Sequence, residues 1–386
     1  MIIKAPNLEE LLQQLIALPS ISCTNPALDQ GNRNVINTLA NWLENLGFST
    51  EIQTLNADGS KANLIATIGK GSNGLILAGH TDTVPFDENS WNSDPFKLTE
   101  ANGRLYGLGT ADMKSFFALI IEAIRNLDLS SLQQPLIILA TADEETSMSG
   151  ARALNAGHLP GARFALIGEP TGLKPVRMHK GMMMEAIKLT GLSGHSSNPA
   201  LGNSALEAIH RVMTELLKWR DELQNANNNP LFDIPVPTMN FGHIHGGDNP
   251  NRICGHCELQ IDIRPLPGMK LTDLRNELEL RLQKTLAGSM IRYETLALFD
   301  GVPAIETPAD SVLVKAVEKL TGASSEAVAF STEAPFYNKL GMDSVVLGPG
   351  SINQAHQPDE YLALEQIKPT VKLIQDLVKQ FCMQTD

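Results

Sequence analysis

Apolar residues recur at helical spacing behind Asn7, at Leu8, Leu11, Leu12, Leu15 and Ile16, and again at Val35, Ile36, Leu39, Leu43 and Leu46 before Gly47. Asn is a favoured N-cap and Gly a favoured helix terminator, so two amphipathic helices open the chain. Short continuous apolar runs then alternate with helical stretches: strands at Asn63 to Ile68 and Leu75 to Ala78, a helix from Lys114 to Leu127, a strand at Leu136 to Ala140, a helix near Gly150 and a strand at Phe164 to Ile167. Strands apolar on both faces and separated by helices predict an α/β fold, with a buried, mostly parallel sheet carrying helices on both faces.

From about Lys180 the pattern changes. Met184 to Thr190 and Glu258 to Arg264 alternate polar and apolar residues around two long helices, Asn203 to Leu223 and Leu271 to Leu286. That pattern predicts a smaller α+β sheet with one face covered and the other open to a partner. After Phe299 the first texture returns, with a helix at Ser311 to Leu320, a strand at Ser344 to Leu347 and a terminal helix from Leu364 to Phe381. The expected organisation is a discontinuous domain of residues 1–179 and 299–386 with a domain of residues 180–298 inserted into it. Asn225 to Pro230 reads as an exposed loop, and Gly69, Gly71 and Gly74 read as a hairpin turn.

Composition narrows the function. The 386 residues carry 30 Lys+Arg against 43 Asp+Glu, a net charge of −13, which disfavours nucleic acid and anionic membrane as partners. No run approaches the ~18 apolar residues of a membrane span, and the start lacks a signal-peptide apolar region. Four cysteines over this length make no disulfide framework, so a cytoplasmic, reducing location is expected.

In open α/β sheets, ligands bind beyond the carboxyl ends of the strands. LILAGH delivers His80 and then Asp82; LIILATADEE delivers Asp143, Glu144 and Glu145; FALIGEP delivers Glu169. Asp112 precedes a helix in GLGTADMKS, and QAHQPDE places His356 after the Ser344 strand. Singly, a histidine is usually a satisfied polar residue and a Glu pair a solvated face. Together, carboxylates following successive buried strands repel one another unless a cation compensates.

Two His and three carboxylates suffice for two divalent ions if one carboxylate bridges, leaving each ion an open position of the catalytic kind. Charges of +4 and −3 then nearly cancel. Nitrogen and oxygen donors without thiolate suit zinc and also accept cobalt or manganese. Asp82, two residues past His80, points to the same side of an extended segment and is expected to orient the imidazole. Glu144, next to Glu145 but pointing elsewhere, is free to take a proton from an attacking water, which is the layout of metal-assisted hydrolysis.

These residues carry a family resemblance. HTDTVP (His80 to Pro85), WNSDPF (Trp91 to Phe96), GRLYGLGTADMK (Gly103 to Lys114), TADEETS (Thr141 to Ser147), GEPT (Gly168 to Thr171) and the late His356 resemble the co-catalytic zinc amidohydrolases, a family that holds aminoacylase, succinyl-diaminopimelate desuccinylase and the glutamate carboxypeptidases. RMHKG (Arg177 to Gly181), PNRICGHCELQIDIRPLPG and FSTEAPFYNKLG extend the likeness to members that deacetylate an N-acylated amino acid. The resemblance implies release of acetate from N2-acetyl-L-ornithine, in arginine biosynthesis, with desuccinylation of succinyl-diaminopimelate or general N-acyl amino acid amidohydrolysis as the alternative. It implies two zinc ions, one on His80, Asp112 and Glu169 and the other on Asp112, Glu145 and His356, with Glu144 as general base and a cis peptide at Asp112-Met113. It further implies that His195 on the inserted domain reaches the site of a second subunit in a homodimer and stabilises an oxyanion. Asn251, Arg252, Ser331 and Thr332 match positions near the substrate carboxylate, and Glu333 one that meets a cationic side chain. Leu108 and Ser115 depart from the Arg and Gly more usual in relatives.

Other signals carry less. Cys254-Gly255-His256-Cys257 has disulfide-exchange spacing but runs straight into an alternating strand, where no helix N-terminus lowers a thiol pKa. Gly69, Gly71 and Gly74 match a dinucleotide fingerprint without the helix it requires. His243 and His245 lack neighbouring acids and read as loop or interface residues, and Met182 to Met184 as packing.

Overall fold

The computed structural model describes residues 6–383. It divides into one unit of Met1–Arg177, Thr307–Glu326 and Thr332–Asp386 and a second of Met178–Glu306 and Ala327–Ser331. In the first unit the strand order is Ser49–Thr54, Ala62–Ile68, Leu136–Thr141, Gly74–His80, Ala162–Pro170, Asp343–Gly348. The last four are parallel neighbours, and the first two are antiparallel additions at one edge. Val176 adds an antiparallel pairing to Val346 on the other side. Every residue of Gly74–His80 and of Leu136–Thr141 is buried, as continuous apolar runs require.

One face of the sheet shares a core with helices Leu8–Ile16, Arg33–Asn45, Lys114–Ile124, Val312–Thr321 and Leu364–Val378. The residues aimed at the other face, among them Ile76, Ile137 and Leu139, are buried as well, and helix Ala334–Lys339 packs against the Ala162 and Asp343 strands. Asn7 caps the first helix in a capping box with Glu10. In Lys114–Ile124 only Glu122 escapes burial, which suits a helix packed on several sides. Gly168 lets the Glu169 strand approach this helix, since a Cβ there would lie 2.2 Å from the Phe116 ring.

Gly69, Gly71 and Gly74 do not close a hairpin. Strands Ala62–Ile68 and Gly74–His80 flank Leu136–Thr141 on opposite sides, so the link crosses over the chain entering that strand. A Cβ on Gly69 would lie 2.9 Å from the Gln134 carbonyl oxygen, and one on Gly74 2.4 Å from that of Pro135. The glycines permit a crossing, not a reversal.

The second unit holds an antiparallel sheet in the order Thr238–Gly246, His256–Arg264, Met183–Thr190, Arg292–Ala297. Helices Ala205–Ala226 and Leu271–Leu286 share its core, and the strand at His256 alternates in burial as its sequence predicts. The loop expected at Asn225 begins later. Asn227 caps the helix, its backbone and side-chain amides both donating to the Leu223 carbonyl at 3.1 and 2.8 Å. Cys254 and Cys257 are free thiols, and burial with Cys254 alongside raises the Cys257 pKa. His243 and His245 lie exposed opposite Gln260 and Glu258. Met183 is fully buried, whereas Met182 and Met184 are half-buried.

His179 is fully buried in this unit, and its Nδ1–H donates to the Lys180 carbonyl at 2.8 Å. Burial pushes its pKa down to about 4, against a smaller opposing effect of that carbonyl. A histidine depressed on folding adds stability that is complete above its unfolded value, about 6.5, and is lost as pH falls towards its folded value. Acidification from pH 7 to 4 is therefore expected to cost the wild type about 3 kcal/mol more than a His179→Gln variant. Denaturant midpoints across this range check it, and parallel pH profiles would refute it. Among the described residues no helix is long and apolar enough to cross a membrane.

Candidate metal centre

The carboxyl ends of the four parallel strands converge as the sequence predicts. His80 ends its strand, Glu144 and Glu145 follow Thr141, Glu169 lies near the end of Ala162–Pro170, and His356 follows Asp343–Gly348. Asp112 comes from the turn before helix Lys114–Ile124, through a cis Asp112-Met113 peptide. Their donor atoms form two groups within 4.8 Å that share Asp112: His80, Asp112 and Glu169, and Asp112, Glu145 and His356. A third group, His80, Glu144 and Glu145, places Glu144 beside both.

His80 Nδ1–H donates to the Asp82 carbonyl at 3.0 Å, which orients the ring so that Nε2 faces Asp112 Oδ1 at 2.9 Å and Glu169 Oε1 at 3.8 Å. His356 Nε2 lies 3.0 Å from Glu145 Oε2 and 3.5 Å from Asp112 Oδ2. Unlike the buried His80, it is half exposed, in a left-handed backbone conformation of φ 61°. Asp82 faces the His80 ring and does more besides. Its carboxylate lies 3.6 Å from the His80 ring and also accepts the backbone N–H groups of Glu144 and Glu145 at 3.2 and 3.1 Å. One residue thus orients the imidazole by its carbonyl and the glutamate turn by its side chain.

The electrostatics describe a site short of positive charge. Burial, followed by the charge of Glu169, holds Glu144 well above the ordinary carboxyl pKa. Burial also raises Glu169 well above it, and raises Glu145 with Asp112 contributing. Burial opposes charge on His80, but Asp112, Asp82 and Glu169 together hold its pKa high. Hydrogen bonds to Asp112 and Glu145 lift His356 to about 10. Glu169 Oε1 is buried without a hydrogen-bond partner. An orphaned carboxylate oxygen inside two His/carboxylate groups that share one aspartate fits a pair of divalent cations, which would satisfy that oxygen and remove the repulsion.

Asp143, the first of the three acids after the Leu136 strand, is a structural anchor. Its Oδ1 takes a hydrogen bond from Lys61 at 2.6 Å and its Oδ2 one from Ser149 at 2.7 Å, while its carbonyl accepts the N–H groups of Thr146, Ser147 and Met148. This anchors the turn that carries Glu144 and Glu145. Glu360, next to Asp359 in the QPDE stretch, holds the Asp112 loop in a similar way. In the sequence, Glu360 is marked only by its closeness to His356.

The residues matched to substrate recognition divide between the units. In the second, exposed His195 pairs with Arg252 in an isolated bridge, and the Asn251 carbonyl accepts the Ser196 N–H at 3.0 Å. Ser331, in the same unit, donates to the Lys180 carbonyl. Thr332 and Glu333 belong to the first unit and are fully buried. Glu333 accepts from the Tyr337 hydroxyl at 3.0 Å, and burial pushes it up to about 7. Beside His356, Val84, Phe86, Trp91 and Leu108 line a cavity of about 220 Å³.

Residues 76–380 match the description of peptidase family M20/M25/M40. The chain belongs to this family. It is 54% identical to the acetylornithine deacetylase of Proteus mirabilis (strain HI4320), over 99% of this chain and 98% of that relative. It is 51% identical to the acetylornithine deacetylase of Photorhabdus laumondii subsp. laumondii, over 99% of each. Among solved structures, an M20 metallo-carboxypeptidase from Sulfolobus solfataricus aligns with a TM-score of 0.76 at 19% identity, covering 97% of this chain and 99% of that one. A Bacillus subtilis protein described as a dinuclear metal-binding M20 peptidase aligns at 0.69 and 16%, covering 97% and 98%. Membership of M20 makes the chain a metal-dependent hydrolase of amide bonds, in keeping with the two donor groups around Asp112.

Proposed function

We propose that the chain hydrolyses N2-acetyl-L-ornithine to L-ornithine and acetate. The observation that carries hydrolysis is the pair of three-residue donor groups sharing Asp112 with Glu144 alongside, and the full-length relatives named acetylornithine deacetylase support the substrate. His80, Asp112 and Glu169 would hold one divalent ion and Asp112, Glu145 and His356 the other, with zinc as the resident metal and cobalt as a substitute. Such ions polarise an amide carbonyl and make water acidic enough to be deprotonated near neutral pH. Glu144 takes the proton of the attacking water as its oxygen bonds to the acyl carbon. The C–N bond then breaks, and Glu144 delivers the proton to the departing α-amine. Asp82 and Asp143 keep Glu144 aimed by holding its backbone turn.

In this reading Asn251, Arg252, Ser331 and Thr332 receive the substrate carboxylate and Glu333 the ornithine ammonium. His195, on an inserted domain of residues 180–298, serves the site of a second copy in a cytoplasmic homodimer. kcat/KM for acetylornithine, acetylmethionine and succinyl-diaminopimelate on one preparation tests the substrate. Acetylornithine is expected to lead by at least about 10-fold, the discrimination that ~1.4 kcal/mol gives, and a lead for succinyl-diaminopimelate would overturn the assignment.

A further inference from the structure

The loop carrying the shared aspartate is held by a carboxylate outside the donor set. Glu360 is 2% exposed, and its side chain accepts three backbone N–H groups, from Gly109 at 2.9 Å, Ala111 at 2.7 Å and Asp112 at 2.9 Å. Its own carbonyl accepts a fourth, from Gly107 at 3.1 Å. Burying a carboxylate is expensive unless hydrogen bonds and opposite charge compensate. Here the three amides oppose that cost, while burial and the neighbouring charge of Asp112 push the Glu360 carboxyl up to about 8. Two oxygens of fixed spacing that accept three amides pin the loop at Gly109, Ala111 and Asp112 together.

Glu360 follows His356 closely in the same loop, so it ties the segment bearing one donor to the segment bearing another. His356 Nε2 and Asp112 Oδ2 face each other at 3.5 Å, and with Glu145 they make up one donor group. The other group draws His80 and Glu169 from the ends of two adjacent sheet strands, whose backbones the ladder already fixes. Resting on the reading that each group takes a divalent cation, we propose that Glu360 is a positioning residue for the Asp112, Glu145 and His356 site: it sets the separation of two loops that contribute two of its three donors.

The test is cobalt uptake by chelator-stripped full-length protein, followed by visible absorption and calorimetry. The wild type is expected to take up two ions per chain. Glu360→Gln keeps the volume but turns an NH2 group against the loop amides, so it is expected to weaken one ion by about 10- to 100-fold and the other, whose only donor on the clamped loops is Asp112, by clearly less. Unchanged affinity for both ions, or equal weakening of both, would overturn the proposal. A wild type that takes up fewer than two ions would instead fail the metal reading on which it rests. Hydrogen exchange of stripped wild type keeps the test independent of the variant's folding: slow exchange in peptides spanning residues 107–112 is expected, and rapid exchange would overturn the clamp.

Discussion

Glu144→Gln is expected to lower kcat for amide hydrolysis by about 100- to 10,000-fold, the usual contribution of a positioned general base, while metal content and folding remain at wild-type levels. The amide keeps the volume of the carboxylate and the backbone bond to Asp82, so the turn stays in place. It removes a carboxylate grouped with His80 and Glu145 that neither Asp112-sharing donor group uses. Metal analysis with steady-state kinetics checks the outcome. Near-normal turnover with metal bound would move the proton transfer to another residue, and parallel loss of metal and activity would make Glu144 a ligand.

Asp112→Ala is expected to have a larger effect, because it removes the one donor common to both groups. Loss of either ion alone leaves the other with its three protein ligands, as His356→Ala and Glu169→Ala are expected to do. Loss of Asp112 leaves two on each side. Several kcal/mol of transition-state stabilisation depart with the ions, so activity should fall by at least about 1,000-fold, and added metal should restore little of it. The comparison of metal stoichiometry across the three variants is the informative readout. One ion retained by Asp112→Ala would mean that the aspartate does not bridge.

How far the site was legible in the sequence depends on which rule placed each residue. His80, Glu145 and Glu169 were legible because continuous apolar runs mark buried strands, and whatever follows such a run lies at a sheet's carboxyl edge. The inserted sheet was legible from the change to alternating polarity after Lys180. The order of the central sheet was not. Leu136–Thr141 lies between two strands that are joined by a short glycine-rich link, and no local signal distinguishes a crossing from a reversal. Asp82 was half legible. Two-residue parity points its side chain with that of His80 only while the chain stays extended, and the strand ends at His80, freeing the carboxylate to reach Glu144 and Glu145. The clamps formed by Asp143 and Glu360 were invisible. A side chain that accepts backbone amides from a distant segment leaves no periodicity, and Glu360 reaches Asp112 across 248 residues.

The central claim is that two divalent cations share Asp112. Anomalous scattering at the zinc edge from crystals of the purified protein tests it most directly. Two peaks about 3.5–4 Å apart, flanking the Asp112 carboxylate, with His80 and Glu169 beside one and Glu145 and His356 beside the other, are the expected result. A single peak, or peaks away from Asp112, would contradict it.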